Sequence, residues 1–169
     1  MTSTVCGICG GSGAGKTTLT RLLVDRLGPE RVSVLAFDAY YHDLSHLSPD
    51  ERARRNYDHP DSLDHELFVE HLGALRAGAA IEVPVYDFAT HTRTGETRRL
   101  DPRPVVLVDG ILLFAFAGIR DLLDHRIFID VPADIRLARR IRRDVVERGR
   151  RPDDVRRQFA RTVAPMHDL

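Results

Sequence analysis

An α/β fold, with a mainly parallel sheet and helices on both faces, is what this sequence predicts, and three observations carry the prediction. Short apolar runs alternate with helical patterns along the chain, the order that βα units impose. The run PVVLVDG at residues 104–110 is apolar at nearly every position, as a strand buried on both faces must be. The run TVCGIC at residues 4–9 leads straight into GGSGAGKTT at residues 10–18, a glycine-rich turn between a strand and a helix.

That turn narrows the class. Gly10, Gly15, Lys16 and Thr17 fit G-x-x-x-x-G-K-[ST], a pattern with physical meaning only between a strand and a helix. The helix is supplied by Leu19, Leu22, Leu23 and Leu27 at helical spacing and is stopped by Gly28-Pro29. Here the loop Gly10, Gly11, Ser12, Gly13, Ala14, Gly15, Lys16, Thr17 and Thr18 would cradle phosphates with its backbone N–H groups at a helix N-terminus. Lys16 would reach the phosphates and Thr17 would bind Mg²⁺. The expected class is a P-loop NTPase fold. Of the 25 Lys and Arg residues, Lys16 is the one lysine. The chain uses arginine for every other cation and a compact, mobile ammonium only here.

The remaining elements follow in order. Residues 31–37 read as a second strand ending at Asp38, and residues 61–78 as a helix opened by Asp61 or Ser62 and closed by Gly78. Residues 81–88 and 92–100 form a β-hairpin insertion within 80–100, with Pro84 setting it at an edge. Residues 104–110 and 125–131 are strands. Asp134 to Glu147 is an arginine-rich helix ended by Gly149, within a basic region spanning 136–157. Arg136, Arg139 and Arg142 are read as its solvated face.

Composition sets the bounds. At 169 residues one domain is the simplest organisation, and 43% apolar with 30% charged residues fits a soluble globular chain. Residues 1–119 carry 12 basic and 16 acidic groups, and residues 120–169 carry 13 and 9. A basic C-terminal segment suits a polyphosphate ligand. Without interleaved aromatics it argues against nucleic acid. The apolar run around Asp109 is too short to span a bilayer, and no basic leader precedes an apolar stretch, so a cytoplasmic location with no membrane partner is expected. Cys6 and Cys9, three apart on a strand, point to opposite faces and read as buried small residues. His42 and His46 lie four apart with no acidic third ligand beside them.

Ligands gather at the carboxyl ends of parallel strands. Asp38 and Asp109 lie there, with Asp58 just beyond a loop. Asp109 is the acid expected to hold Mg²⁺ together with Thr17. Gly110 follows it, so no water-activating carboxylate stands next to the metal acid, which favours transfer to an acceptor other than water. A GTP-dependent switch would need N-K-x-D, and the single lysine is already used. The other class is a small-molecule kinase, with Asp38 receiving the acceptor hydroxyl.

The segments FDAYYHDLS, YDHPDSLD, PVYDF with HTR, VVLVDGILL and RRIRRDVVERGR, in that order, resemble the uridine–cytidine kinase family from residue 4 to the last residues. The resemblance implies phosphorylation of uridine and cytidine at the 5′-hydroxyl in pyrimidine salvage, with ATP or GTP as donor, Mg²⁺ as cofactor and a homotetrameric assembly. It implies that Asp38 is the base, and that Asp58 and Arg140 read the ribose. Tyr57 and Phe88 would sandwich the pyrimidine, and Tyr86 and His91 would read its 4-position. Arg143, Arg148 and Arg150 would form a lid over the phosphates, with Arg150 also near the base, and Gln158, the sole glutamine, would contact substrate. Phosphoribulokinase-like activity and a non-catalytic nucleotide-binding regulator are the alternatives. Where the family more often has Glu, this chain has Asp109, which would reach Mg²⁺ directly or through water. The family continues past PMHDL with a further strand and helix. Their absence here leads to the expectation that residues 125–131 form an apolar edge, covered by a neighbouring subunit or completed in a longer form of the chain.

Overall fold

A computed structural model describes residues 2–167, with the side chains of residues 147, 148, 166 and 167 outside the description. The strands are β1 (Thr4–Cys9), β2 (Val32–Ala36), β3 (Ile81–Asp87), β4 (Thr92–Leu100), β5 (Val105–Gly110) and β6 (His125–Phe128). The helices are α1 (Lys16–Leu27), α2 (Pro49–Ala53), α3 (His65–Arg76), α4 (Ala117–Arg120), α5 (Ala133–Arg148), α6 (Pro152–Gln158) and α7 (Ala164–His167). β2, β5, β1 and β6 pair in that order as a parallel sheet, while β3 and β4 make a separate antiparallel hairpin.

The strand order places the site. The connection from β1 runs to β2 on one side, and the chain after β5 crosses to β6 on the other, so the loops above β1 and β5 diverge and leave a crevice. Ile8 of β1 and Ala36 of β2 both align with Asp109 of β5. Three adjacent strands therefore deliver the glycine loop, Asp38 and Asp109 to one edge of the sheet.

Alternation along the strands builds two buried faces. Val5, Cys9, Leu35, Val106 and Val108 share a core cluster with Phe68, Leu72 and Leu75 of α3. Each of those three α3 side chains is fully buried, worth roughly 1.5–3 kcal/mol apiece. Ile8 and Leu107 are equally buried but point the other way, towards the face on which α1 packs. Cys6 and Cys9 divide between the faces, and both are free thiols.

Several boundaries differ from the sequence reading. The helix expected from Asp61 or Ser62 begins at His65. Pro60–Ser62 forms its own 3₁₀ turn, and Asp64 caps α3 by accepting from Leu67 N–H at 3.2 Å. The strand expected over 125–131 ends at Phe128. Ile129 N–H still reaches Cys9 O at 2.8 Å, but there β1 turns into the glycine loop and no partner backbone remains. β6 pairs with β1 alone among the described residues and is an edge strand, with Phe128 53% exposed. In the hairpin the register shifts between Pro84 and Tyr86, where the ring nitrogen has no proton to donate. No helix among the described residues is long and apolar enough to cross a membrane.

Candidate active site

The glycine loop is held by its own geometry and by α5. Gly13 has φ 84°, and a Cβ there would stand 2.5 Å from the carbonyl oxygen of Arg136. Gly15, with φ 103°, opens α1, and a Cβ there would meet nothing nearer than Arg139 Nη1 at 4.0 Å. The Lys16 ammonium donates to Gly10 O at 2.8 Å and Gly11 O at 3.2 Å, so the loop folds around it. Burial lowers the Lys16 pKa, and the carboxylates of Asp38 and Asp109 oppose that.

Thr17, Thr18, Thr20, Asp38, Asp109 and Arg143 line one groove beside this loop. Thr20 is buried, and its hydroxyl lies 3.3 Å from Asp109 Oδ2. Burial, then the neighbouring Asp38, raise the Asp109 pKa, while Lys16 and the Thr20 hydrogen bond pull it down. Among the described residues no three His, Cys, Asp or Glu side chains gather into a metal cluster. One carboxylate and one threonine hydroxyl at a phosphate loop are instead the sparse protein donor set that suits Mg²⁺, which keeps waters and takes phosphate oxygens as further ligands. Thr17 and Asp109 fit that ion.

On the other side of Asp38 a second cavity brings together Tyr57, Asp58, Tyr86, Phe88, His91, Arg140, Arg150 and Gln158, every residue that the sequence assigned to an acceptor. Three segments supply them. The stretch after α2 gives Tyr57 and Asp58, the hairpin gives Tyr86, Phe88 and His91, and the run from α5 through the turn to α6 gives Arg140, Arg150 and Gln158. His91 sits in the hairpin turn at φ 56° and stacks on Tyr57, with ring centroids 4.3 Å apart and planes 13° from parallel. One face of Tyr57 is thus covered by imidazole. The Tyr86 hydroxyl is buried with no hydrogen-bond partner among the described residues, the kind of orphan that a ligand's polar edge satisfies. Burial raises the Asp58 pKa, and Arg140 and the Thr162 hydroxyl act against it.

The arginines are organised by a residue that sequence reading did not single out. Asp144 is fully buried, and Arg143 at 2.9 Å, Arg150 at 3.4 Å and Arg140 at 3.6 Å surround its carboxylate. Its signal was available: Asp144 follows Arg140 by four residues on one helix. Arg140 also donates to Ser12 Oγ at 2.8 Å and to Gln158 Oε1 at 3.2 Å, tying the phosphate loop to the second cavity. Arg136, expected on a solvated face, is 3% exposed. Its Nε donates to Val131 O at 3.0 Å and its guanidinium lies 5.6 Å from the Phe159 ring centroid, because position 136 leads the inward stripe 136, 140, 144 of α5. Arg139 and Arg142 are exposed as expected. The side chain of Arg148 lies outside the described residues. Tyr41 and Ile111, also unassigned from sequence, complete the cavity wall.

Four of the described residues line both the groove and the cavity: Asp38, Tyr86, Phe88 and Arg143. A carboxylate and a guanidinium therefore stand where a bound phosphate and a bound acceptor would meet.

Known proteins align with this chain over nearly its whole length. The uridine kinase of Chloroflexus aurantiacus is 47% identical over 163 residues, covering 96% of this chain and 78% of the relative. That of Escherichia fergusonii is 49% identical over 166 residues, with the same coverage. Among solved structures, D-glycerate 3-kinase from Cryptococcus neoformans superposes with a TM-score of 0.69 at 15% identity, over 99% of this chain and 79% of that one. Phosphoribulokinase from Rhodobacter spheroides gives 0.65 at 13% identity, over 99% and 67%. Such distant likenesses carry the P-loop kinase fold. The description "Phosphoribulokinase / Uridine kinase family" belongs to a family model that matches residues 5–168. With its glycine loop, strand-end acids and second cavity in one continuous match, the chain is a member of the phosphoribulokinase / uridine kinase family.

Proposed function

We propose that this chain phosphorylates uridine and cytidine at the 5′-hydroxyl, with ATP or GTP as donor, giving UMP and CMP. The observation that carries the proposal is that Asp38 and Arg143 line both the phosphate-loop groove and the cavity of Tyr57, Asp58, Tyr86 and His91. The relatives named uridine kinase, at 47–49% identity, support the choice of acceptor.

The chain's residues divide the work. Asp58 accepts from ribose hydroxyls and Arg140 donates to their oxygens. Tyr57 and Phe88 pack against the pyrimidine. Tyr86 and His91 meet its 4-position, where a neutral imidazole donates to a carbonyl or accepts from an amine, so both bases are tolerated. Arg150 and Gln158 close the cavity beside them. Asp38 orients the 5′-hydroxyl and takes its proton as the new P–O bond forms and the bond to the donor's β-phosphate oxygen breaks. Lys16 and Arg143, joined by Arg148, neutralise charge on the moving phosphoryl group. Thr17 and Asp109 would hold Mg²⁺, which supplies further charge neutralisation when bound. A cytoplasmic homotetramer acting in pyrimidine salvage completes the proposal.

The test is a panel of nucleosides with ATP and Mg²⁺, followed by detection of monophosphates. Uridine and cytidine should react and purine nucleosides should not. Phosphorylation of a sugar phosphate instead of any nucleoside would overturn the assignment.

A further inference from the structure

After Gln158 the helical chain widens. Phe159–Val163 forms a π-turn closed by Ala164 N–H donating to Phe159 O. Single π-turns inside helical segments re-aim the side chains that follow and recur at functional sites. This one separates two duties. Phe159 and Val163 are buried, with Phe159 beneath Arg136. Gln158 and Thr162 face the acceptor cavity's polar groups. Gln158 Oε1 accepts from Arg150 at 2.6 Å and Arg140 at 3.2 Å, and Thr162 Oγ1 lies 3.2 Å from Asp58 Oδ2.

Thr162 Oγ1 also lies 3.0 Å from Gln158 O, four residues back. The Gln158 carbonyl places the hydroxyl oxygen, and its one proton is shared between that carbonyl and the Asp58 carboxylate. Asp58 is 7% exposed, and the cations that act on it, Arg140 and Arg150, come from α5 and the turn that follows it. The hydroxyl reaches one carboxylate oxygen, Oδ2. The other, Oδ1, makes no hydrogen bond among the described residues, and Asp58 lines the cavity.

We propose that Thr162 is a positioning residue for recognition of the acceptor's vicinal diol: the π-turn delivers its hydroxyl to Asp58 Oδ2 and thereby turns Oδ1 towards the ribose hydroxyls. The proposal rests on the nucleoside reading of the cavity. A carboxylate pinned at one oxygen loses less orientational freedom when a diol binds, and its charged form is favoured by the donated hydrogen bond.

The experiment compares wild type, Thr162→Val, which keeps the shape and removes the hydroxyl, and Thr162→Ser, which keeps the hydroxyl. Each is assayed with uridine and with 2′-deoxyuridine at saturating ATP and Mg²⁺. Thr162→Val should raise KM for uridine by about tenfold, the scale of one lost hydrogen bond to a charged group. It should leave kcat within about twofold and narrow the preference for uridine over 2′-deoxyuridine. Thr162→Ser should restore both. A double-mutant cycle with Asp58→Asn, read by binding of uridine, checks the route: with the charge removed but an amide oxygen still accepting, Thr162→Val should cost clearly less than in wild type. An unchanged uridine-to-deoxyuridine preference in Thr162→Val, or full additivity in the cycle, would overturn the proposal. If the Val variant fails to fold, Thr162→Ala in the Asp58→Asn background gives the same additivity reading. A wild-type chain inert towards uridine would sink the nucleoside reading first, which separates that failure from this one.

Discussion

Thr20 on α1 and Asp109 on β5 face each other across the sheet edge, the threonine hydroxyl 3.3 Å from the carboxylate Oδ2. Asp109 is half-buried, and the one proton of the Thr20 hydroxyl is shared between its carboxylate and Lys16 O at 3.0 Å. That acid is uncomfortable as an anion, because burial and then Asp38 raise its pKa.

The stability consequence has a definite sign. A carboxyl whose folded pKa exceeds its unfolded value favours the fold below the unfolded pKa and loses that contribution as pH rises through the folded pKa. At neutral pH and above, the Asp109 charge is therefore a cost. Asp109→Asn should unfold at a higher temperature than wild type at pH 8 in Mg²⁺-free buffer. The difference should shrink as pH falls through the raised carboxyl range, while phosphotransfer is lost. Calorimetry across pH checks this, and a variant less stable than wild type at pH 8 would contradict it.

Asp38→Asn tests the junction of the two cavities. Turnover should fall by about 10²-fold or more, the scale of general acid–base groups, with nucleoside affinity changed far less. Steady-state kinetics paired with direct binding decide it. Intact turnover with weakened binding would make Asp38 a binding residue only.

His91→Ala should weaken uridine recognition by about 1–3 kcal/mol, as loss of a hydrogen bond reading a substrate group does, and leave the KM for ATP unchanged. Because His91 sits at φ 56°, His91→Gly separates backbone from ring effects. Uridine kinetics unaltered in both variants would remove His91 from the site.

Gly13→Ala should damage the phosphate loop. The added Cβ would stand 2.5 Å from the Arg136 carbonyl at a φ of 84°. A destabilisation of more than about 1 kcal/mol is expected where Ala meets such a backbone. A fluorescent ATP analogue should bind weakly. Wild-type affinity and melting temperature would mean that α5 yields at no cost.

What was legible in the sequence follows the strength of its local signals. Gly10–Thr18, Asp38 and Asp109 were readable because each ends a strand whose apolar run is plain, and strand ends in such sheets converge. The hairpin was readable from two extended segments flanking a short turn, with Pro84 marking an edge, although β4 is polar and exposed along most of its length. The start of α3 was not, because Asp61, Ser62 and Asp64 are all competent caps and only Pro60 drawing the first two into a 3₁₀ turn decides among them. α2 escaped despite its Ser48–Glu51 capping box, since five residues are too short for periodicity. Arg136 and Asp144 escaped for a deeper reason. The inward stripe of α5 is charged, while Ile135 and Val146 are 43% and 77% exposed, so hydrophobic patterning pointed to the wrong face.

If Arg143 meets the donor's phosphates as proposed, the Asp144 cluster makes nucleotide capture an exchange of partners. Arg143 already leans on a buried carboxylate, with its side chain 34% exposed, so an arriving phosphate competes with an internal anion and not only with solvent ions. Such a trade frees few mobile ions from solution. Affinity for the donor should therefore decline with added salt more gently than the number of arginines around the site suggests. The cluster keeps guanidinium groups poised and mutually tolerable, and on the proposed function it would lend one of them out when a stronger claimant enters.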